Sequence, residues 1–157
     1  MLQPDEPEIS DIAWPERTSA GKWFSKLCGQ RTGEHVFAYS CLNHLGLSNS
    51  ILHMKDFFGA NLQYSRLREC ELFFAMLQGA DLMGGDLAGA KLFAADLKKA
   101  NLMRAELNRA ELREANLSEA RLSEADLKEA DLMGANLKGA DLSEAYLSED
   151  ALSEAQG

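Results

Sequence analysis

The stretch from Ala90 to Leu112 reads AKLFAADLKKANLMRAELNRAEL, with a leucine at every fifth position and an alanine two residues before each leucine. The same register runs without insertion from Leu62 to Leu152, which gives nineteen leucines in succession. The residue between the alanine and the leucine is usually Asp or Asn. A register this regular indicates a repeat in which each unit packs only on its neighbours.

A period of five residues excludes the two commonest regular structures. On an α-helix, five residues advance about 500°, so successive leucines would spiral around the surface instead of forming a stripe. On a flat strand, side chains alternate between two faces, so an odd spacing would send every second leucine into water. The leucines all stay inside only if each short extended piece is followed by a bend. With a bend of about 90° per unit, four units close one turn, and successive turns stack about 4.8 Å apart.

The tandem motif A-[DN]-L-x-x, as in Ala80-Asp81-Leu82 and Ala100-Asn101-Leu102, resembles the signature of pentapeptide-repeat proteins. The resemblance covers Ala60 to Ala155 and implies a right-handed quadrilateral β-helix with about twenty residues per coil. We therefore expect an all-β solenoid of about five to six coils with a central column of leucines. The structural core that we predict contains Leu62, Leu82, Leu102, Leu122 and Leu142.

The sequence divides into three parts. Residues 60–155 are predicted to form the regular β-helix, residues 40–59 degenerate first repeats, and residues 1–39 an N-terminal tail with a short irregular or helical cap. Because Leu45 and Lys55 occupy positions that elsewhere hold small residues, we expect the first coil to be distorted.

The two ends of the predicted rod differ in their chemistry. Trp14, Trp23, Phe24 and Leu27 are large apolar residues that a disordered tail would not need, so we expect this segment to cover the exposed end of the solenoid. At the other end, Asp150 stands where the preceding repeats have alanine. A charge at a packed corner predicts either a stop to further coils or fraying of the last repeat.

The composition gives the setting of the protein. The first residues are acidic and contain prolines, without the basic start and apolar run of a secretory signal, and no segment is long and apolar enough to span a membrane. Three cysteines, an odd number, argue against a disulfide framework, and Cys70 falls at an inward position. We expect a cytoplasmic protein with no membrane association.

No catalytic or metal-binding constellation stands out. Cys28, His35, Cys41 and His44 cluster in the first third of the chain but lack the paired spacing of structural zinc sites. The many acids of the repeats fall on an exposed convex surface, where nothing would perturb their pKa values for acid–base chemistry. No serine–histidine arrangement or phosphate-binding glycine loop is present. We predict a protein without enzymatic activity, cofactor or metal.

Residues twenty apart are expected to stack in columns along the rod. On three successive corners this stacking would place a cation over a glutamate. The pairs are Lys99 with Glu119, Arg104 with Glu124, and Arg109 with Glu129. Exposed pairs of this kind are too weak to hold the rod together, but they can bias its register.

A second set of columns is apolar. We define the aromatic face as six residues in two adjacent outward columns of the rod. They are His53, Met54, Phe73, Phe74, Phe93 and Met133. Arg113 lies in one of these columns but is not part of the face. Stacked exposed aromatic residues often mark a partner surface. The alternatives are that the N-terminal cap folds over this face, that the face forms a dimer, or that the clustering is accidental.

The charge is concentrated in the second half of the repeats. From Glu114 onward eleven acids face only Arg121, Lys128 and Lys138, and almost the whole net charge of -9 lies there. We define the acidic surface as Glu114, Glu119, Glu124, Asp126, Glu129, Asp131, Asp141, Glu144 and Glu149. An acidic rod cannot bind nucleic acid by neutralising phosphates, so direct nucleic-acid binding is not expected.

Two functions of different class follow. The first is an interaction scaffold, a rigid rod that presents its faces to a protein partner. The second is imitation of DNA, because some pentapeptide-repeat proteins protect or inhibit DNA gyrase with an acidic rod. This second function is implied only by the resemblance to the family. This sequence departs from that subgroup in its nearly uniform central leucines, its uninterrupted repeats and the lack of a dimerising helix after Ala155.

Overall fold

The computed structural model describes residues 37–156, which coil into a right-handed quadrilateral β-helix. The extended pieces are isolated parallel bridges, and each bridge joins residues twenty apart, from Cys41–Asn61 at one end to Asn136–Gln156 at the other. The described part contains one helix, α1, Glu149–Glu154. The predicted fold class is confirmed, whereas the predicted cap of residues 1–39 lies almost wholly outside the described residues.

Each repeat bends two residues after its leucine. In the unit around Leu62, the amide of Ser65 donates to the carbonyl oxygen of Leu62 at 3.2 Å, and Tyr64 has a φ of 54°. A positive φ at the third residue is the mark of a type II turn. Non-glycine residues adopt it all along the rod, Arg104 and Glu124 among them. The left-handed conformation costs about 1–2 kcal/mol per residue, which burial of the next leucine offsets.

Backbone hydrogen bonds tie each coil to both of its neighbours. The amide of Leu62 donates to the carbonyl oxygen of Asp81 in the next coil at 2.7 Å, and the amide of Asp81 donates back to the carbonyl oxygen of Ala60 at 2.9 Å. The same pair of bonds recurs along the rod. The spacing of twenty residues is therefore fixed by the backbone as well as by the side chains.

The core is a stack of leucines with alanines at the corners. Leu62, Leu82, Leu102 and Leu122 are at most 1% exposed, as the sequence predicts for four of the five core residues. Burying one leucine contributes about 1.5–3 kcal/mol. Leu142, the fifth, is only partly buried because no complete coil follows it. The alanines at every fifth position from Ala90 to Ala125 are at most 1% exposed, which leaves no room there for larger side chains.

The first described coil is more regular than the sequence predicts. Its bridges and turns match those of later coils, and the repeat pattern extends back to Phe37, whose ring stacks on Phe57 with centroids 5.2 Å apart. Leu45, at a position for small residues, is 9% exposed, and its amide donates to the hydroxyl of Ser65 at 3.2 Å. The expected distortion is absent from the described residues, and at Leu45 the stacked residue of the next coil is the small Ser65.

The last repeat departs from the predicted register. Residues 60–155 were assigned to the regular β-helix, but helix α1 replaces the repeat that contains Leu152, and Leu152 is 44% exposed. The hydroxyl of Ser148 accepts a hydrogen bond from the amide of Ala151 at 3.3 Å and caps the helix. The chain then resumes the register, because the amide of Gln156 donates to the carbonyl oxygen of Ala135 at 2.7 Å.

The inward side chains of Ser65 and Cys70 are polar and donate hydrogen bonds to backbone carbonyl groups of the preceding coil. The hydroxyl of Ser65 donates to the carbonyl oxygen of Leu42 at 2.8 Å, and the Cys70 Sγ donates to the carbonyl oxygen of Leu47 at 2.8 Å. Cys70 is fully buried, as predicted, and burial raises the pKa of its thiol to about 11. Because the thiol stays protonated near neutral pH, it fills the corner as a small apolar group would.

Aromatic rings cover two glycines at the positive-φ corners. The ring of Tyr64 lies over Gly84 so closely that an added Cβ would be 2.6 Å from it, and Tyr39 covers Gly59 with a corresponding distance of 2.8 Å. Gly79 has nothing within 4 Å of an added Cβ. Corner side chains therefore lie along the rod, over the residue twenty positions later.

This packing predicts a difference between two otherwise similar substitutions. Gly79 and Gly84 have nearly equal φ values of 67° and 62°, so Gly79→Ala and Gly84→Ala carry a similar backbone cost of about 1–2 kcal/mol. Gly84→Ala must also displace the Tyr64 ring and should cost about 0.5–1 kcal/mol more. Urea unfolding followed by circular dichroism measures both.

The Tyr64→Ser background provides the control for this prediction. Without the ring, Gly84→Ala should cost no more than Gly79→Ala. Equal costs for the two substitutions in the unmodified protein would contradict the proposed role of the ring.

Candidate functional site

The outer surface of the rod is built from ladders of Asp and Asn. Their side-chain oxygens accept a hydrogen bond from the amide two residues later, as between Asp96 Oδ1 and the amide of Lys98 at 3.1 Å. The same groups also bond between coils, since Asn116 Nδ2 donates to Asp96 Oδ1 at 3.0 Å. These side chains therefore stabilise the bends, and the other outward positions are the variable part of the surface.

The three predicted cation–glutamate pairs are confirmed. Lys99 Nζ lies 3.4 Å from Glu119 Oε2. Arg104 donates two hydrogen bonds to Glu124, at 2.8 Å from Nε and 3.0 Å from Nη2. The third pair joins Arg109 Nε to Glu129 Oε2 at 2.8 Å. The pKa of Glu124 is lowered, chiefly because the side-chain hydrogen bonds from Arg104 favour its charged form.

Cations from neighbouring positions neutralise part of the acidic surface. Besides the three pairs above, Lys98 Nζ lies 3.7 Å from Glu119, and Arg113 Nε lies 3.8 Å from Asp131. Lys128 Nζ is 3.8 Å from Asp126. Five of the nine predicted residues thus have cationic partners. The count of eleven acids against three cations did not include this neutralisation, because most of these cations lie in the preceding coil, although three of the pairs were predicted separately from the stacking of residues twenty apart.

The remaining acidic residues form a smaller set. Within the described residues, Glu114 and Glu144 are exposed and take part in no ion pair. The hydroxyl and amide of Ser143 donate to Asp141 and lower the pKa of its carboxyl. The side chain of Glu149 lies outside the described residues. Glu114, Asp141 and Glu144 are therefore the best candidates for contact with a basic partner.

Most of the aromatic face is brought together at one corner. The rings of Phe74 and Phe93 meet edge to face with centroids 5.6 Å apart, and Lys91 Nζ lies 6.0 Å from the centroid of Phe73. His53 and Met54 are exposed beside them. Met133 lies farther along the rod, in the column that contains Phe73 and Phe93.

Met133 is separated from the other residues of the aromatic face by Arg113. The guanidinium of Arg113 lies one coil before Met133, and Arg113 Nη2 is 3.7 Å from Met133 Sδ. The contiguous apolar surface therefore ends at Phe93.

The sequence analysis missed two members of this apolar surface. Ile51 is 57% exposed and Met76 is 46% exposed, and both lie next to the corner that holds Met54 and Phe74. They occupy the position before the central residue, where about half of the repeats have Asp or Asn. An exposed apolar residue at a position that normally stabilises the bend was the signal that could have identified them.

Other candidate features are only partly within the described residues. No group of three or more metal-binding side chains occurs in residues 37–156, and Cys28 and His35 of the weak metal candidate precede them. Trp14, Trp23 and Phe24 precede them too. In the same part of the chain, no helix has the length and apolar character needed to cross a membrane.

Comparison with known proteins agrees with this architecture. The family model described as pentapeptide repeats (8 copies) matches residues 56–89, 86–123 and 110–148. The chain belongs to the pentapeptide-repeat family. No curated protein matches it significantly.

Several proteins of known structure are similar to this one. HetL, involved in heterocyst differentiation regulation in the cyanobacterium Nostoc sp. strain PCC 7120, is 29% identical, with 76% of this chain and 73% of HetL covered and a TM-score of 0.43. The alr5209 protein of Nostoc PCC 7120 is 31% identical, with 71% and 83% covered and a TM-score of 0.31. QnrB1, a plasmid-mediated fluoroquinolone resistance protein, is 20% identical in its R167E form, with 74% and 67% covered and a TM-score of 0.35.

Proposed function

We propose that this pentapeptide-repeat protein is a non-enzymatic interaction scaffold whose rod binds a basic surface of a protein partner. The observation that carries the proposal is the set of exposed carboxylates on the later coils that form no ion pair among the described residues. Glu114 and Glu144 are exposed, and neither forms an ion pair among the described residues. Charge of one sign on a rigid surface favours association with a surface of the opposite sign.

The rod suits such a role because its surface is ordered in advance. Both carboxylates project from corners with a φ of 58°, fixed by the turns that also build the core. A partner that binds them would not have to order a loop, which reduces the entropic cost of binding. The attraction between the charges should weaken as salt increases.

The test compares two pairs of substitutions that remove the same charge. Glu114→Gln with Glu144→Gln removes two carboxylates of the later coils, and Glu69→Gln with Glu106→Gln removes two exposed carboxylates of the earlier coils that likewise form no ion pair among the described residues. In pull-downs from the native host with quantitative mass spectrometry, the first variant should capture about tenfold less of the main partner, and the second should match the unmodified protein. Equal capture by all three proteins would contradict the proposal.

Imitation of DNA toward gyrase is the second candidate, and the concentration of acids after Glu114 is the observation in its favour. The ion pairs of Glu119, Glu124 and Glu129 weaken it, because paired carboxylates present less negative charge than a DNA backbone does. The scaffold is therefore the better supported function.

A supercoiling assay with and without a quinolone, at several salt concentrations, tests the second candidate. If the protein imitates DNA, micromolar protein should inhibit supercoiling or protect gyrase, and the effect should decline with salt. If the protein neither inhibits supercoiling nor protects gyrase, that result would falsify the DNA-mimic hypothesis and leave the scaffold proposal intact.

A further inference from the structure

The early coils carry an apolar surface that the charge-based function does not use. We define the aromatic corner as Ile51, Met54, Phe73, Phe74, Met76 and Phe93. Met54 is 69% exposed and Phe74 is 49% exposed, and both project from the same corner column. Large exposed apolar side chains grouped in this way generally bind another surface.

The composition of the corner indicates that it is built to be covered. Ile51 and Met76 occupy a position at which about half of the repeats hold an Asp or Asn, whose side chain accepts a hydrogen bond from the amide two residues later, as Asp81 Oδ1 does from Met83 at 3.2 Å. Most of the other repeats hold a charged residue there, such as Glu71 or Lys91. Each of these two repeats gives up that stabilising bond and exposes an apolar side chain instead. Ile51 and Met76 lie on the two sides of the corner column of Met54 and Phe74, and a local rule broken on both sides of one column is typical of a functional surface.

We propose that the aromatic corner is the docking site of this chain's own N-terminal segment, residues 1–36, through its tryptophans. The segment joins the rod beside the corner. Phe37 stacks one coil before Phe57, and Phe57 follows Met54 by three residues. The preceding chain therefore begins next to the column of Met54 and Phe74.

The segment has the length and the side chains for this contact. Trp14, Trp23, Phe24 and Leu27 supply apolar surface to match that of the corner. An extended chain reaches about 3.3–3.6 Å per residue, so the 13 residues from Phe24 to Phe37 span at most roughly 43–47 Å. Met54 and Phe93 are two coils apart, or about 10 Å along the rod. The apolar side chains can therefore reach every part of the corner.

The covalent link between the N-terminal segment and the rod favours this segment over a second copy of the chain as the occupant of the aromatic corner. A segment linked to its site has an effective concentration on the order of millimolar, well above the concentration at which a free second copy would be present in a dilute solution. Intramolecular docking is therefore favoured unless the linker cannot reach, and here it can.

Tryptophan fluorescence tests the proposal directly, because the only two tryptophans of the chain, Trp14 and Trp23, lie in the segment. In the unmodified protein, acrylamide should quench their emission several-fold less than that of N-acetyltryptophanamide. The variant Met54→Ser with Phe74→Ser should bring quenching close to that of the free compound. Circular dichroism checks that the rod of each variant is folded.

The matched control changes one methionine and one aromatic residue outside the corner, by Met133→Ser with Tyr146→Ser. Both residues are exposed, at 41% and 58%, and this variant should leave quenching unchanged. The proposal would be overturned by tryptophans that are fully quenchable in the unmodified protein. It would also be overturned by protection that survives the corner variant, or by protection that rises with protein concentration together with dimer formation in sedimentation velocity.

Discussion

The burial of one leucine in every five residues is the interaction on which the rest of this structure depends. Each leucine fills the centre of the rod, and the turn that follows it holds one residue at a positive φ that costs free energy. The turn is worth that cost because it returns the next leucine to the same interior. This arrangement stacks residues that are twenty apart in the sequence. The hydrogen bonds between coils, the Asp and Asn ladders and the ion pairs all follow from that stacking.

The same stacking explains which features could be predicted from the sequence. The pair of Arg104 and Glu124 was predictable because both residues sit in unbroken repeats, where a separation of twenty means contact. The position of Leu152 was predicted wrongly, because local capping by Ser148 favoured a helix over one more repeat. The regularity of the first coil was also missed. Leu45 fits at its inward position because its neighbour in the next coil is the small residue Ser65. The repeat pattern alone does not show how much space that neighbour leaves.

Predictions of surface function were less complete, because they depend on how neighbouring columns combine. A count of charges along the chain placed a bare acidic surface after Glu114, yet cations from the preceding coil reach across to several of those carboxylates. The apolar residues Ile51 and Met76 were overlooked because they stand at positions that the repeat often gives to Asp or Asn. The rod thus has a neutral, aromatic early part and an acidic later part, for which we propose different occupants.

The central claim, that the period of five specifies the rod, can be tested by changing the length of one repeat. Insertion of a second copy of residues 101–105 after Ala105 keeps every leucine inward, whereas insertion of a single alanine at the same place breaks the register. The account predicts that the five-residue insertion leaves the urea midpoint nearly unchanged. The single alanine should lower the unfolding free energy by several kcal/mol, roughly the loss expected when one or two buried leucines are displaced. Equal midpoints for the two insertions would contradict it.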